Sequence, residues 1–134
     1  MSDKILVADD EAHIVHVVSM KLVRAGFEVI TAKDGEEALE LCFSEHPDLV
    51  ITDYQMPFVD GMEFCHRLRM RADCQDIPVI LLTARGGDLD KAELDELGVV
   101  AVMEKPFSPR EIHARARAII DQRKLERAEA RIGA

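Results

Sequence analysis

Short apolar runs alternate with longer segments in which apolar residues recur every three or four positions. Ile5-Leu6-Val7-Ala8 is the first run, and it stops abruptly at Asp9-Asp10-Glu11. Ile14, Val17, Val18, Leu22 and Ala25 follow at helical spacing, with Gly26 as the stop. Phe27, Val29 and Thr31 alternate as a strand with one wetter face. Asp34-Gly35-Glu36-Glu37 then offers a helix N-cap with an acid three residues on, and Ala38, Leu41 and Cys42 supply that helix's buried stripe.

Pro47 closes this helix, and Leu49-Val50-Ile51 makes a third strand that again ends at an acid, Asp53. Asp60-Gly61-Met62-Glu63 opens a third helix whose Met62, Cys65 and Leu68 face inward. Ile77 to Leu82 reads as a fourth strand, Leu89 to Leu97 as a short helix ended by Gly98, and Val99 to Met103 as a fifth strand. Ser108-Pro109-Arg110-Glu111 starts a last helix: Ser108 can cap, Pro109 suits the first turn, and Glu111 can return the bond.

Five strands each followed by a helix require parallel pairing with right-handed crossovers. Strands 1, 3, 4 and 5 are apolar throughout, as strands covered on both faces are. The expected fold class is α/β, a three-layer α/β/α sandwich, with no internal repeat and no linker before residue 120.

Composition narrows the function. A chain of 134 residues with 48% hydrophobic and 32% charged side chains is one folded domain, not a disordered tract. With no Trp and one Tyr it lacks the flat side chains of a platform for single-stranded nucleic acid. Residues 1–107 carry 10 basic and 22 acidic side chains, whereas residues 108–134 carry 7 and 4. So acidic a body disfavours direct nucleic-acid binding and favours a cation or a basic partner. Cys42, Cys65 and Cys74 show no C-x-x-C spacing and read as reduced thiols. The apolar runs are too short to cross a membrane and no secretory signal pattern is present, so a cytoplasmic location is expected.

In an open parallel sheet, sites form beyond the carboxyl ends of the strands. There stand Asp9 and Asp10 after strand 1, Asp53 after strand 3, Thr83 after strand 4 and Lys105 after strand 5. Any one of these acids alone would pass for a helix cap. Three at one edge repel one another unless a cation neutralises them, and hard oxygen ligands without Cys or His point to Mg²⁺. A hydroxyl, an ammonium and a metal around one carboxylate suit a transferring phosphoryl group, with Asp53 as the nucleophile.

These strings resemble a response-regulator receiver domain of two-component signalling, similar to the chemotaxis regulators. The matching residues are Ile5 to Glu11, Asp48 to Pro57 with Asp60-Gly61, Leu82-Thr83-Ala84 and Lys105-Pro106-Phe107. The resemblance implies a flavodoxin-like doubly wound sheet of order 2-1-3-4-5. It implies that Asp53 accepts a phosphoryl group from a phosphohistidine on a sensor histidine kinase or phosphotransfer protein. Asp10, Asp53 and the backbone carbonyl of Gln55 would ligate Mg²⁺, Asp9 would act through water, and Lys105 and Thr83 would take phosphoryl oxygens. It also implies a signalling module, not an enzyme acting on outside substrates, with helix 4, strand 5 and helix 5 as the usual surface for a downstream protein.

One position departs from the family. Val102 stands where an aromatic is usual, which points to a readout through shifts of residues 84–97 instead of a ring rotation. Gln55 and Arg85 flank the expected path of hydrolytic water, so Arg85→Ala is expected to change the phosphate lifetime. The alternative function is an aspartyl-phosphate-type phosphatase of the same strand order, which would need a second acid where Gln55 stands. A flavin-binding domain would need a Ser-, Thr- and Gly-rich loop where Asp9-Asp10-Glu11 stands.

Residues 1–121 read as the receiver domain and 122–134 as a helical C-terminal extension with no output domain. The helical pattern lasts to about Arg131. Ala118, Leu125 and Ile132 make a weak seven-residue repeat, either a solvated extension or a helical linker or dimer contact.

Overall fold

A computed structural model describes residues 3–84 and 89–133 of the chain. Five strands, β1 (Lys4–Ala8), β2 (Glu28–Ala32), β3 (Leu49–Asp53), β4 (Val79–Thr83) and β5 (Val99–Glu104), alternate with five helices. These are α1 (Ala12–Arg24), α2 (Gly35–Glu45), α3 (Gly61–Arg69), α4 (Lys91–Glu96) and α5 (Pro109–Gly133), with a 3-10 turn at Ala72–Cys74 before β4. All pairings are parallel and the strand order is β2-β1-β3-β4-β5. The order and layering expected from the sequence hold.

Period-two alternation divides the strands between two cores. Leu6, Ala8, Val50 and Leu81 pack with Ala38, Leu39 and Cys42 of α2, Phe64, Cys65 and Leu68 of α3, and Leu94 of α4. Ile5, Val7, Ile51 and Leu82 point the other way, against Val18 and Leu22 of α1 and Ile112, Ala116 and Ile120 of α5. β1, β3 and β4 are buried along nearly their whole length, as their unbroken apolar runs require.

Several helix starts follow their caps. The Asp34 carboxylate accepts the Glu37 N–H at 2.9 Å, while Glu37 accepts the Lys33 N–H at 3.0 Å. Asp60 accepts the Glu63 N–H at 2.9 Å, and the Ser108 hydroxyl accepts the Glu111 N–H at 3.1 Å. The Asp34, Asp60 and Ser108 bonds each satisfy a donor that the first helical turn leaves without an intrahelical partner, and the Glu37 bond ties down the residue before the cap.

Three expectations need correction. In α2 Ala38 and Cys42 are buried as expected, but Leu39 joins them and Leu41 is only half-buried; in α3 Cys65 and Leu68 are buried as expected, but Phe64 joins them and Met62 is only half-buried. One residue in each stripe is exchanged for a neighbour that faces the same core. β5 is not covered on both faces: Val79 pairs with Val99 and Ile80 with Ala101, so Val100 bulges out and is 53% exposed. The fourth helix is also shorter than expected, starting at Lys91 behind an Asp90 cap.

Gly98 ends α4 at φ 78°, and a side chain there would collide with the guanidinium of Arg69. That guanidinium lies over the glycine because it is committed elsewhere. Arg69 donates to the carbonyls of Leu97 (2.6 Å), Cys74 (3.0 Å), Gln75 (2.7 Å) and Ile77 (2.5 Å). One side chain thus closes the ends of α3, the 3-10 turn and α4.

Candidate functional site

The carboxyl edge of the sheet gathers the charged residues. Asp9 follows β1, Asp53 and Thr83 are the last residues of β3 and β4, and Lys105 follows β5. Carboxylate oxygens of Asp9, Asp10 and Asp53 lie within 4.8 Å of one another. The Lys105 ammonium stands among them, 3.2 Å from Asp9 Oδ2, 3.3 Å from Asp53 Oδ1 and 3.4 Å from Glu11 Oε1. The Asp9 side chain is wholly buried and Asp53 nearly so, whereas Asp10 is exposed.

Burial governs the electrostatics. It pushes the Asp9 carboxyl up; the Glu11 backbone N–H, at 2.9 Å from Asp9 Oδ1, opposes this, and the neighbouring Asp53 charge adds to the rise. Burial likewise pushes Asp53 up, against Lys105 and the Gln55 backbone N–H, with Asp10 adding to the rise. For Lys105, burial works downward, but the Asp9 and Asp53 charges outweigh it and hold the ammonium above its ordinary value. One ammonium does not neutralise four nearby carboxylates. Three hard oxygen donors left in negative excess fit a divalent cation of the Mg²⁺ type.

Local packing fixes Asp53. A Cβ on Gly61 would lie 2.9 Å from both the Asp53 carbonyl oxygen and the Tyr54 Cα, so only glycine lets α3 start this close to the strand end. Gly61 N–H donates to the Tyr54 carbonyl at 2.8 Å, and Tyr54 N–H to the Leu82 carbonyl at 2.8 Å. Thr83 is buried, on the strand beside Asp53, and its carbonyl accepts the Lys105 N–H at 2.8 Å.

The structure therefore assembles Asp9, Asp10, Asp53 and Lys105, with Thr83 on the adjoining strand end and Gln55 exposed in the loop after β3. Val102 is half-buried and packs on the α2–α3–α4 side. The expectation for Arg85 lies outside the described residues. Sequence reasoning misses Glu11 as a partner of Lys105, although the acid run Asp9-Asp10-Glu11 signals it. It also misses Phe58, held at φ 69° and 84% exposed in the loop after Asp53.

An open, doubly wound parallel sheet with an acidic cluster at its carboxyl edge defines an α/β protein whose site lies where such sheets bind their ligands. The relatives make the class definite. The chain belongs to the response regulator receiver domain family, whose family model matches residues 5–117. It is 47% identical over 120 residues to the alkaline phosphatase synthesis transcriptional regulatory protein PhoP of Bacillus subtilis (strain 168), covering 90% of this chain and 49% of that protein. Its fold superposes on chemotaxis response regulator CheY4 of Vibrio cholerae with TM-score 0.82 at 33% identity, over 89% of this chain and 99% of the other. The Francisella response regulator 1452 receiver domain gives TM-score 0.82 at 31% identity, over 90% and 98%. The chain spans about half the length of the curated relatives it matches. It is a receiver domain, a signalling module; the phosphatase alternative finds no support in these relationships.

Proposed function

We propose that Asp53 accepts a phosphoryl group from a phosphohistidine on a sensor histidine kinase or phosphotransfer protein, and that the acyl phosphate switches binding of a downstream protein. An Asp53 oxygen forms a bond to phosphorus, the phosphorus–nitrogen bond breaks, and the electron pair leaves on the imidazole, which takes a proton. The observation that carries the reading is the shared ammonium of Lys105 between Asp9 and Asp53 within the acidic cluster. The receiver catalyses its own phosphorylation and dephosphorylation and turns over no outside substrate.

Asp10, Asp53 and the Gln55 carbonyl are the residues that would hold Mg²⁺, with Asp9 acting through water. The cation supplies positive charge for the phosphoryl oxygens as they gather charge. Lys105 exchanges its Asp53 contact for a phosphoryl oxygen, and the buried Thr83 hydroxyl moves to take another. A phosphoryl group adds roughly −1.5 to −2 charge at neutral pH, and these bonds convert that charge into the change of partner binding.

Helix α4, strand β5 and helix α5 are the proposed surface for the downstream partner, and the cytoplasm the proposed location. Among the described residues no helix is long and apolar enough to cross a membrane. The acidic body itself is expected not to bind nucleic acid. Borohydride reduction after exposure to a small acyl phosphate and Mg²⁺ tests the site: peptide mass mapping should place the single reduced residue at position 53. Reduction at any other carboxylate would overturn the assignment.

A further inference from the structure

A second cluster of ligand atoms lies at the opposite, amino-terminal edge of the sheet. We propose that His46 Nε2, Asp73 Oδ2 and Cys74 Sγ form a site for a borderline divalent cation, Zn²⁺ foremost. Ligating atoms of these three residues lie within 4.8 Å of one another. Tetrahedral zinc with bonds of about 2.0–2.3 Å needs its ligands about 3.3–3.8 Å apart, so side-chain shifts of about 1 Å close the site. Nitrogen, oxygen and sulfur together select zinc-like metals over Mg²⁺, in contrast with the all-oxygen cluster at Asp53.

The backbone is organised for such a site. The carbonyl of Cys42, in the last turn of α2, accepts both the His46 N–H at 3.0 Å and the Cys74 thiol at 3.7 Å. That common acceptor holds two donors distant in sequence on one spot. His46 takes the left-handed conformation at φ 47° and directs its ring to Asp73, with Nε2 at 2.8 Å from Oδ2. Arg71 grips the same carboxylate from outside, Nε to Oδ1 at 3.0 Å and Nη2 to Oδ2 at 2.9 Å, while its guanidinium lies 4.3 Å above the Phe43 ring. It is the outer partner that orients a ligating carboxylate.

The metal replaces the His46–Asp73 hydrogen bond, and the Cys74 thiol proton passes to solvent as the metal–sulfur bond forms. The dication with Asp73 carboxylate and Cys74 thiolate is then neutral, and His46 serves as neutral imidazole. His46 and Asp73 are about half exposed, which gives the ion an entry path and leaves a fourth position for water. Bound metal ties the end of α2 to the turn before β4. An ordinary exposed His–Asp pair would account for the 2.8 Å contact; the buried Cys74 thiol, held by the Cys42 carbonyl, adds the soft third donor that such a pair lacks.

Cobalt titration of the whole chain with Mg²⁺ in excess provides the test. One equivalent of Co²⁺ should give a thiolate-to-cobalt charge-transfer band. Cys74→Ser should abolish the band, and His46→Gln should weaken binding at least about tenfold, since even outer-partner losses cost that much. Asp53→Asn should leave both unchanged. Because His46 is exposed, its substitution keeps the fold even where the buried Cys74 change does not. The proposal is overturned by absence of the band, by its persistence in Cys74→Ser, by full affinity in His46→Gln, or by binding that depends on Asp53 instead.

Discussion

Asp53 shows what a site costs at the scale of one residue. Folding takes its carboxyl nearly out of water and raises its pKa above the ordinary 3.8, so the charged form opposes folding above about pH 4. Without divalent cation, Asp53→Asn should therefore raise the melting temperature at neutral pH. The gap should close below about pH 4, where the carboxyl is protonated in both states, and Mg²⁺ should shrink it by stabilising only the parent. An Asp53→Asn variant less stable at neutral pH would contradict this balance. Cysteines 42 and 65 follow the same sign in a higher pH window. Burial pushes both thiols from 9.0 up to about 12, so the folded state holds these protons more tightly. Their contribution is complete below about pH 9 and drains away as pH rises toward about 12. Alkylation at pH 8 should accordingly leave both unmodified in the native chain and modify both after denaturation. Native labelling at the rate of a free thiol would show the packing to be wrong.

At the scale of elements, helix caps and strand ends are legible because each is a local signal. Asp34, Asp60 and Ser108 read as caps in the sequence and bond as caps in the fold. Asp9, Asp53, Thr83 and Lys105 are equally legible, since each stands where an apolar run gives out. The inner positions Leu39 and Phe64 are not, because the phase of an apolar stripe depends on the partner surface. The Arg69 clamp leaves no trace either: an arginine near a helix end reads as solvated, and its four carbonyl acceptors come from three later segments. Arg69→Ala should cost about 2–4 kcal/mol in chemical denaturation, because hydrogen bonds to a charged donor are each worth about 1.5–3 kcal/mol and the carbonyls lose it together. A loss under about 0.5 kcal/mol would place the clamp among ordinary surface contacts. α5 runs unbroken to Gly133, and its end exposes Leu125 (53%) and Ile132 (86%). Lys124 meets Asp3 at 2.8 Å in an exposed pair, worth about 0–1 kcal/mol. Truncation after Asp121 should thus change stability by no more than about 1 kcal/mol. Sedimentation distinguishes the two readings of the extension: one monomeric species before and after truncation marks a solvated helix, whereas a dimer lost on truncation marks a pairing surface.

For the whole molecule, the doubly wound topology turns four separate strings into one site. Strand order and parallel direction place the ends of β1, β3, β4 and β5 side by side, so residues from Asp9 to Lys105 meet around one ammonium. The rest of the fold is two cores that hold those ends still. The clearest expression of that coupling is linkage: Mg²⁺ at about 100 times its dissociation constant should stabilise the fold by about 2.7 kcal/mol. Asp53 as a metal-dependent phosphoryl acceptor is the function on which these relationships converge. Intact mass after incubation with a small acyl phosphate tests it most directly, with the parent chain in Mg²⁺, the parent in chelator, and Asp53→Asn in Mg²⁺ side by side. One phosphoryl adduct is expected in the first sample and none in the other two. An adduct that survives chelation or the loss of Asp53 would contradict it.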